Sequence, residues 1–170
     1  MRIFIFIFLI VAAFQLRAQD EVATTLVKLN QPVPEFSFKD ETGKTISISD
    51  YKGKTVLITF FATWCGPCRK ELPLVQSDIY NEYKDNPNFK LLIFGREHNL
   101  QEVSDFKKSQ GFSMPFYADK ERSVYSLFAS KYIPRNFLIN AEGKIIFSET
   151  GFDIDTFDKL KKLIQENIKQ

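Results

Sequence analysis

Cysteine and histidine are almost absent from this chain. Two of its 170 residues are cysteine and one is histidine. A structural zinc site takes four ligands, so Cys65, Cys68 and His98 together leave one incomplete. A disulfide framework spreads its cysteines along the chain, and these two stand three positions apart. A bridge across so short a loop stabilises a fold little, because the chain-entropy gain grows with loop length. Long basic runs are also missing. Lys+Arg is 23 against 21 Asp+Glu, and two of the basic residues, Arg2 and Arg17, lie in the first 18 positions, which hold no acid. The remainder is balanced, with no footprint for nucleic acid. No apolar run approaches the length of about 20 residues that a membrane-spanning helix needs.

The longest apolar run is Ile3 to Phe14, behind Arg2. Its length and flanks suit a secretory signal peptide over residues 1–18, with cleavage after Ala18. No cysteine stands near that junction to take a lipid. The expectation is an exported, periplasmic protein without stable membrane insertion after cleavage; an uncleaved anchor is the alternative. Export places the two thiols where disulfides persist.

Residues 19–31 are polar without a clear period and read as a loose mature N-terminus. Residues 32–170 read as one domain, long enough for a real core. Phe36 and Phe38, then Ile46 and Ile48, alternate around a "DETGK" turn, the pattern of a hairpin. Thr55 to Ala62, "TVLITFFA", is a central strand covered on both faces. A helix follows from Arg69 to about Asp85, with Leu72, Val75, Ile79 and Tyr83 at helical spacing and a kink at Pro73. "KLLIFG", Lys90 to Gly95, is the next buried strand, which makes a right-handed βαβ unit. Asn99, Glu102 and Gly111 bracket a second helix. "FYAD" is a short strand. Val124, Leu127 and Phe128 mark a short helix, and "NFLINAEGKIIF" an antiparallel hairpin. Phe157, Leu160, Leu163, Ile164 and Ile168 form the stripe of a closing helix.

Both cysteines lie in "WCGPC", where the buried strand ends and the helix begins. Strand ends are where α/β sheets build sites. Cys65 at a helix N-terminus meets unsatisfied N–H groups and the positive end of the macrodipole, which favour a thiolate. Cys68 follows one turn on, placed to attack a mixed disulfide formed at Cys65. Gly66 lets the backbone turn tightly, and Pro67 sits where a missing N–H costs nothing. Arg69 and Lys70 add positive charge. This is the pattern of a two-thiol redox couple that needs no cofactor or metal. A copper site made of Cys65, Cys68 and His98 is the metal alternative, since Cu(I) accepts soft thiolates. His98 by itself reads as a surface-loop residue rather than a ligand; its "GREHN" setting between a strand and a helix is the alternative that places it near the site.

"WCGPC" after a buried strand, with Pro73 five residues past Cys68, resembles thioredoxin. The wider frame, "VPEFSFKDETGKTISISDYKGKTVLITFFATWCGPCRKELP" and "FLINAEGKIIF", resembles the exported TlpA/ResA-like thiol-disulfide oxidoreductases of the thioredoxin superfamily. The resemblance implies an α/β thioredoxin fold: a central mixed sheet flanked by helices, with an extra N-terminal β-hairpin. It implies that Cys65 is the exposed nucleophile and Cys68 the buried resolving thiol. Trp64 would flank the site, with ordinary core packing as its alternative. Pro134 would be a cis proline facing the disulfide, leaving the Ile133 backbone to pair with an extended substrate. Glu71 matches a glutamate that ResA-like proteins carry near their thiols, where a carboxylate opposes thiolate formation and can move protons; the alternative is an exposed residue pairing with lysines. Thr59 stands where thioredoxin has a buried aspartate, so that proton route is not shared.

The function so implied is reduction of disulfides in exported client proteins, with electrons from a membrane thiol relay. Cytochrome c maturation is a typical pathway of the family. A peroxiredoxin-type peroxidase shares the opening hairpin, but its Pro-x-x-x-Thr-x-x-Cys pattern is missing before Cys65. A copper metallochaperone is the non-enzymatic rival.

Overall fold

The computed structural model describes residues 23–168. The expected signal peptide, 1–18, lies outside the described residues. A small antiparallel hairpin comes first, β1 (Ser37–Lys39) and β2 (Thr45–Ser47), followed by a 3₁₀ turn at Ile48–Tyr51. The main sheet has five strands: β3 (Thr55–Phe61), β4 (Phe89–Arg96), β5 (Phe116–Asp119), β6 (Arg135–Ile139) and β7 (Ile145–Thr150). Their order is β5-β4-β3-β6-β7. β4 pairs in parallel with β3 and β5, while β6 runs antiparallel to both β3 and β7. The sheet is therefore mixed, with β3 at its centre and every residue of β3 buried.

Strand alternation divides the core in two. Leu57 and Phe61 face one side of β3. There α1, which begins at Gly66–Leu74, and α4 (Ile154–Ile168) supply Leu72, Val75, Leu160 and Ile164. Val56, Ile58 and Phe60 face the other side, against the hairpin and the short helix α3 (Tyr125–Phe128). That second layer is aromatic. Phe38 of the hairpin lies 5.1 Å from Phe94 and 4.7 Å from Tyr117, both edge-on. Each buried Phe contributes about 1.5–3 kcal/mol, which fastens the hairpin to the sheet.

Pro73 has no N–H for the helical ladder and its ring crowds the preceding turn. α1 continues past it as a π-helical stretch, Val75–Tyr80, where the N–H of Asn81 reaches back to the carbonyl of Gln76, and closes as Asn81–Tyr83. Helix α2 (Leu100–Gln110) is capped as its sequence predicts: Asn99 and Glu102 exchange hydrogen bonds, and Gly111 takes the left-handed conformation at φ 69°.

The sequence reads 19–31 as loose; within its described part, 23–31, Thr24 and Val27 are buried. Leu26 donates to the carbonyl of Phe128, Ser130 to that of Thr24, and Asn30 to that of Ile145. The fully buried Arg135 donates to the hydroxyls of Thr24 and Thr25 at 2.8 and 2.6 Å. These partners lie about a hundred residues away, so no local pattern announces them.

Candidate active site

β3 ends at Phe61 and α1 begins at Gly66, and the intervening turn carries Trp64 and Cys65. Cys65 is the N-cap of α1. Its sulfur accepts the backbone N–H of Cys68 at 3.2 Å, the place an N-cap side-chain oxygen usually fills. Pro67 sits in the first turn. The two sulfurs are bonded, with a sequence separation of 3. Cys68 is fully buried, and Cys65, expected as the exposed thiol, is itself buried at 4% exposure.

The loop before β6 closes the other side. The Ile133–Pro134 peptide is cis, and the Ile133 carbonyl oxygen lies 3.8 Å from the Cys65 sulfur. Trp64, Cys65, Gly66, Pro67, Tyr132 and Ile133, with Arg96 at the end of β4, line an open groove of about 360 Å³. Trp64 is 64% exposed, so it is a wall of the groove rather than core packing.

Glu71 lies one helical turn beyond Cys68 and is buried. Its Oε1 accepts from the side-chain amide of Asn136, whose own oxygen accepts from the Thr59 hydroxyl at 2.8 Å. Oε2 has no hydrogen-bond partner among the described residues. Burial pushes the carboxyl up to about 8, the Asn136 hydrogen bond opposes this, and the charge of Glu149 adds to it. A cavity of about 10 Å³, room for about one water, adjoins Glu71, Asn136 and Glu149. The picture of Glu71 as an exposed partner of lysines is thus replaced by a buried carboxyl.

His98 also departs from its expectation. It is 6% exposed, and its Nε2 accepts the backbone N–H of Thr63 at 2.9 Å, two residues before Cys65. That lone pair is committed to the turn, so the imidazole Nε2 is not offered to copper. Its Nδ1 lies 3.8 Å from the Glu102 carboxylate. Among the described residues no group of three or more His, Cys, Asp and Glu side chains is arranged to hold a metal ion.

Local sequence pattern does not single out Asn136, Arg96 or Tyr132. One signal for Asn136 is present: Thr59 interrupts the apolar run of β3, and Asn136, beside Arg135 at the polar start of β6, is its cross-strand partner.

A disulfide at the end of the central strand, capping a helix beneath a cis-proline loop, is an arrangement for exchanging thiols and disulfides. The Redoxin family profile matches residues 28–164. The chain belongs to the Redoxin family. It is 36% identical over 118 residues to the thiol-disulfide oxidoreductase ResA of Bacillus subtilis, a match spanning 69% of this chain and 65% of that protein. Its fold superposes on a candidate protein disulfide isomerase of Bacteroides thetaiotaomicron with a TM-score of 0.82 and 34% identity, over 86% of this chain and 94% of the other. StoA of Bacillus subtilis gives a TM-score of 0.61 and 30% identity, over 76% and 96%. The thioredoxin-like fold and a thiol–disulfide redox centre at Cys65–Cys68 follow for this Redoxin-family chain.

Proposed function

We propose that this thiol–disulfide oxidoreductase works as a reductant of disulfides in exported client proteins. The observation that carries the reading is the Cys65 sulfur, held at the N-terminus of α1 and at the edge of an open groove, with Cys68 buried behind it. In the reduced protein the helix N-terminus favours the Cys65 thiolate. The thiolate attacks one sulfur of a client disulfide. A mixed disulfide forms, and the other client sulfur leaves as a thiolate and takes a proton. Cys68, on losing its proton, attacks the Cys65 sulfur, re-forms the Cys65–Cys68 bond and releases the second client thiol. Two electrons pass to the client.

Glu71 is the proton carrier of this scheme. A carboxyl with its pKa near 8 is largely protonated at neutral pH. It avoids a negative charge one turn from Cys68 and exchanges a proton when that thiol ionises. Trp64 and Ile133 form the client-facing walls, Pro134 sets the loop, and Gly66 and Pro67 shape the turn.

The oxidised protein is restored by an external dithiol, in this reading a membrane thiol relay. The signal-like segment 1–18 supports export to the periplasm, with cytochrome c maturation as one pathway of this kind. No helix among the described residues is long and apolar enough to cross a membrane.

The test is the reduction potential of the pair, equilibrated against glutathione or dithiothreitol. A value near about −270 mV supports the reductase reading, and one near about −120 mV reverses the direction of electron flow.

A further inference from the structure

The groove beside Cys65 has one charged lining residue, Arg96. Its guanidinium carbon lies 5.7 Å from the Trp64 ring centre and 5.3 Å from that of Tyr125. Its side chain is 13% exposed, and its Nη2 pairs with Glu97 at 3.2 Å. The same carboxylate also faces Arg122 at 3.7 Å. Arg122 in turn stacks on Tyr125 and donates to the carbonyl of Ser130. Two guanidiniums therefore share one carboxylate. Arg96 Nε has no hydrogen-bond partner among the described residues.

Asp119, the cross-strand partner of Arg96 on β5, is buried, and its carboxylate accepts from the Ser123 hydroxyl and from the N–H groups of Val124 and Tyr125. Arg69 and Lys70 follow Cys68 on α1, and Lys131 precedes Tyr132; all three are exposed. Glu71 is buried and mostly neutral near pH 7. Arg96 is the charged group among the described lining residues, a planar donor in the groove beside two exposed aromatic walls, Trp64 and Tyr132. A partly desolvated guanidinium gains most from a carboxylate.

We infer that Arg96 selects clients that carry an aspartate or glutamate side chain within about two residues of the disulfide cysteine attacked by Cys65. The inference rests on the reductase reading above and names the substrate class of that site. Trp64 and Tyr132 hold the apolar part of an extended segment. Arg96 takes its carboxylate, and Glu97 and Arg122 hold Arg96 in place. Arg96 acts through binding, so its effect falls on KM rather than kcat.

The experiment uses two peptides, each with one internal disulfide, identical except for aspartate or lysine next to the attacked cysteine. The reduced protein is assayed on both at low salt and at high salt. The expected result is about a tenfold higher kcat/KM for the aspartate peptide, equivalent to about 1.4 kcal/mol. The preference shrinks at high salt, as screening weakens the pair. It disappears in R96Q through KM. Equal rates for the two wild-type peptides overturn the inference, whatever R96Q does to folding. So does an R96Q loss of the same size on both peptides, which assigns Arg96 to holding Trp64 alone. If neither peptide is reduced, the reductase reading itself fails and takes this inference with it.

Discussion

Asn136 on β6 donates its side-chain amide to Oε1 of Glu71 on α1, inside the core and across 65 residues of sequence. The amide satisfies one carboxyl oxygen and leaves Oε2 with no partner among the described residues. An ionised carboxylate has more acceptor sites to satisfy than a carboxylic acid. With one protein donor in a buried setting, the neutral form is favoured.

Burial of the Glu71 carboxyl, which the Asn136 hydrogen bond only partly offsets, gives a pH dependence. The folded-state carboxyl titrates near 8, against an ordinary value of 4.5. Between those values the native state holds a proton that the unfolded state has released. Stability is therefore full below about pH 4.5 and falls as pH rises toward about 8. The slope from this group approaches about 1.4 kcal/mol per pH unit. Glu71→Gln, which cannot ionise, should flatten it. Urea unfolding of the oxidised protein at pH 5, 6, 7 and 8 measures both; a wild-type curve that rises over this range contradicts the assignment.

The two cysteines should separate by product. Cys65→Ser removes the attacking sulfur and should lower client reduction by at least about 10³-fold, as expected when an essential nucleophile is lost. Cys68→Ala keeps the attack but not the resolution. It should accumulate a client joined to Cys65, visible as a band on a non-reducing gel that vanishes with dithiothreitol. A mixed disulfide trapped equally by Cys65→Ser would exchange the two roles.

His98 should matter to the turn rather than to a metal. His98→Ala leaves the Thr63 N–H without its acceptor. A buried group so orphaned costs about 1–3 kcal/mol, read as a lower urea midpoint. His98→Gln, which offers a carbonyl oxygen, should recover part of the loss. Copper titration of the reduced protein checks the rival: affinity that falls sharply in His98→Ala, with the midpoint unchanged, would favour a metallochaperone.

Gly95 occupies a tight seam between β4 and α2. A Cβ there would lie 2.4 Å from Cγ1 of Val103 and 3.2 Å from the Cβ of His98. Gly95→Ala should destabilise by about 1–3 kcal/mol through overpacking. Val103→Ala in the same chain should return part of it. Thermal melts of the single and double variants test the coupling, and additive losses would contradict it.

Sequence alone determined the parts whose causes are local. The β-rich run of β3, the stripe of α4, the Asn99–Glu102 cap and the turn glycines depend on neighbours within a few residues. "WCGPC" is local too: its spacing and its place between strand and helix put two sulfurs on one helical turn. What the tertiary structure decided are burial and partnership. Thr63 meets His98 across 35 residues, Arg135 reaches Thr24 across 111, and Trp64 meets Arg96 only because β3 and β4 end side by side. A glutamate on a helix reads the same whether it faces solvent or core. Its pKa and its partner belong to the surroundings that packing brings to it, and those come from strands and helices far apart in the chain.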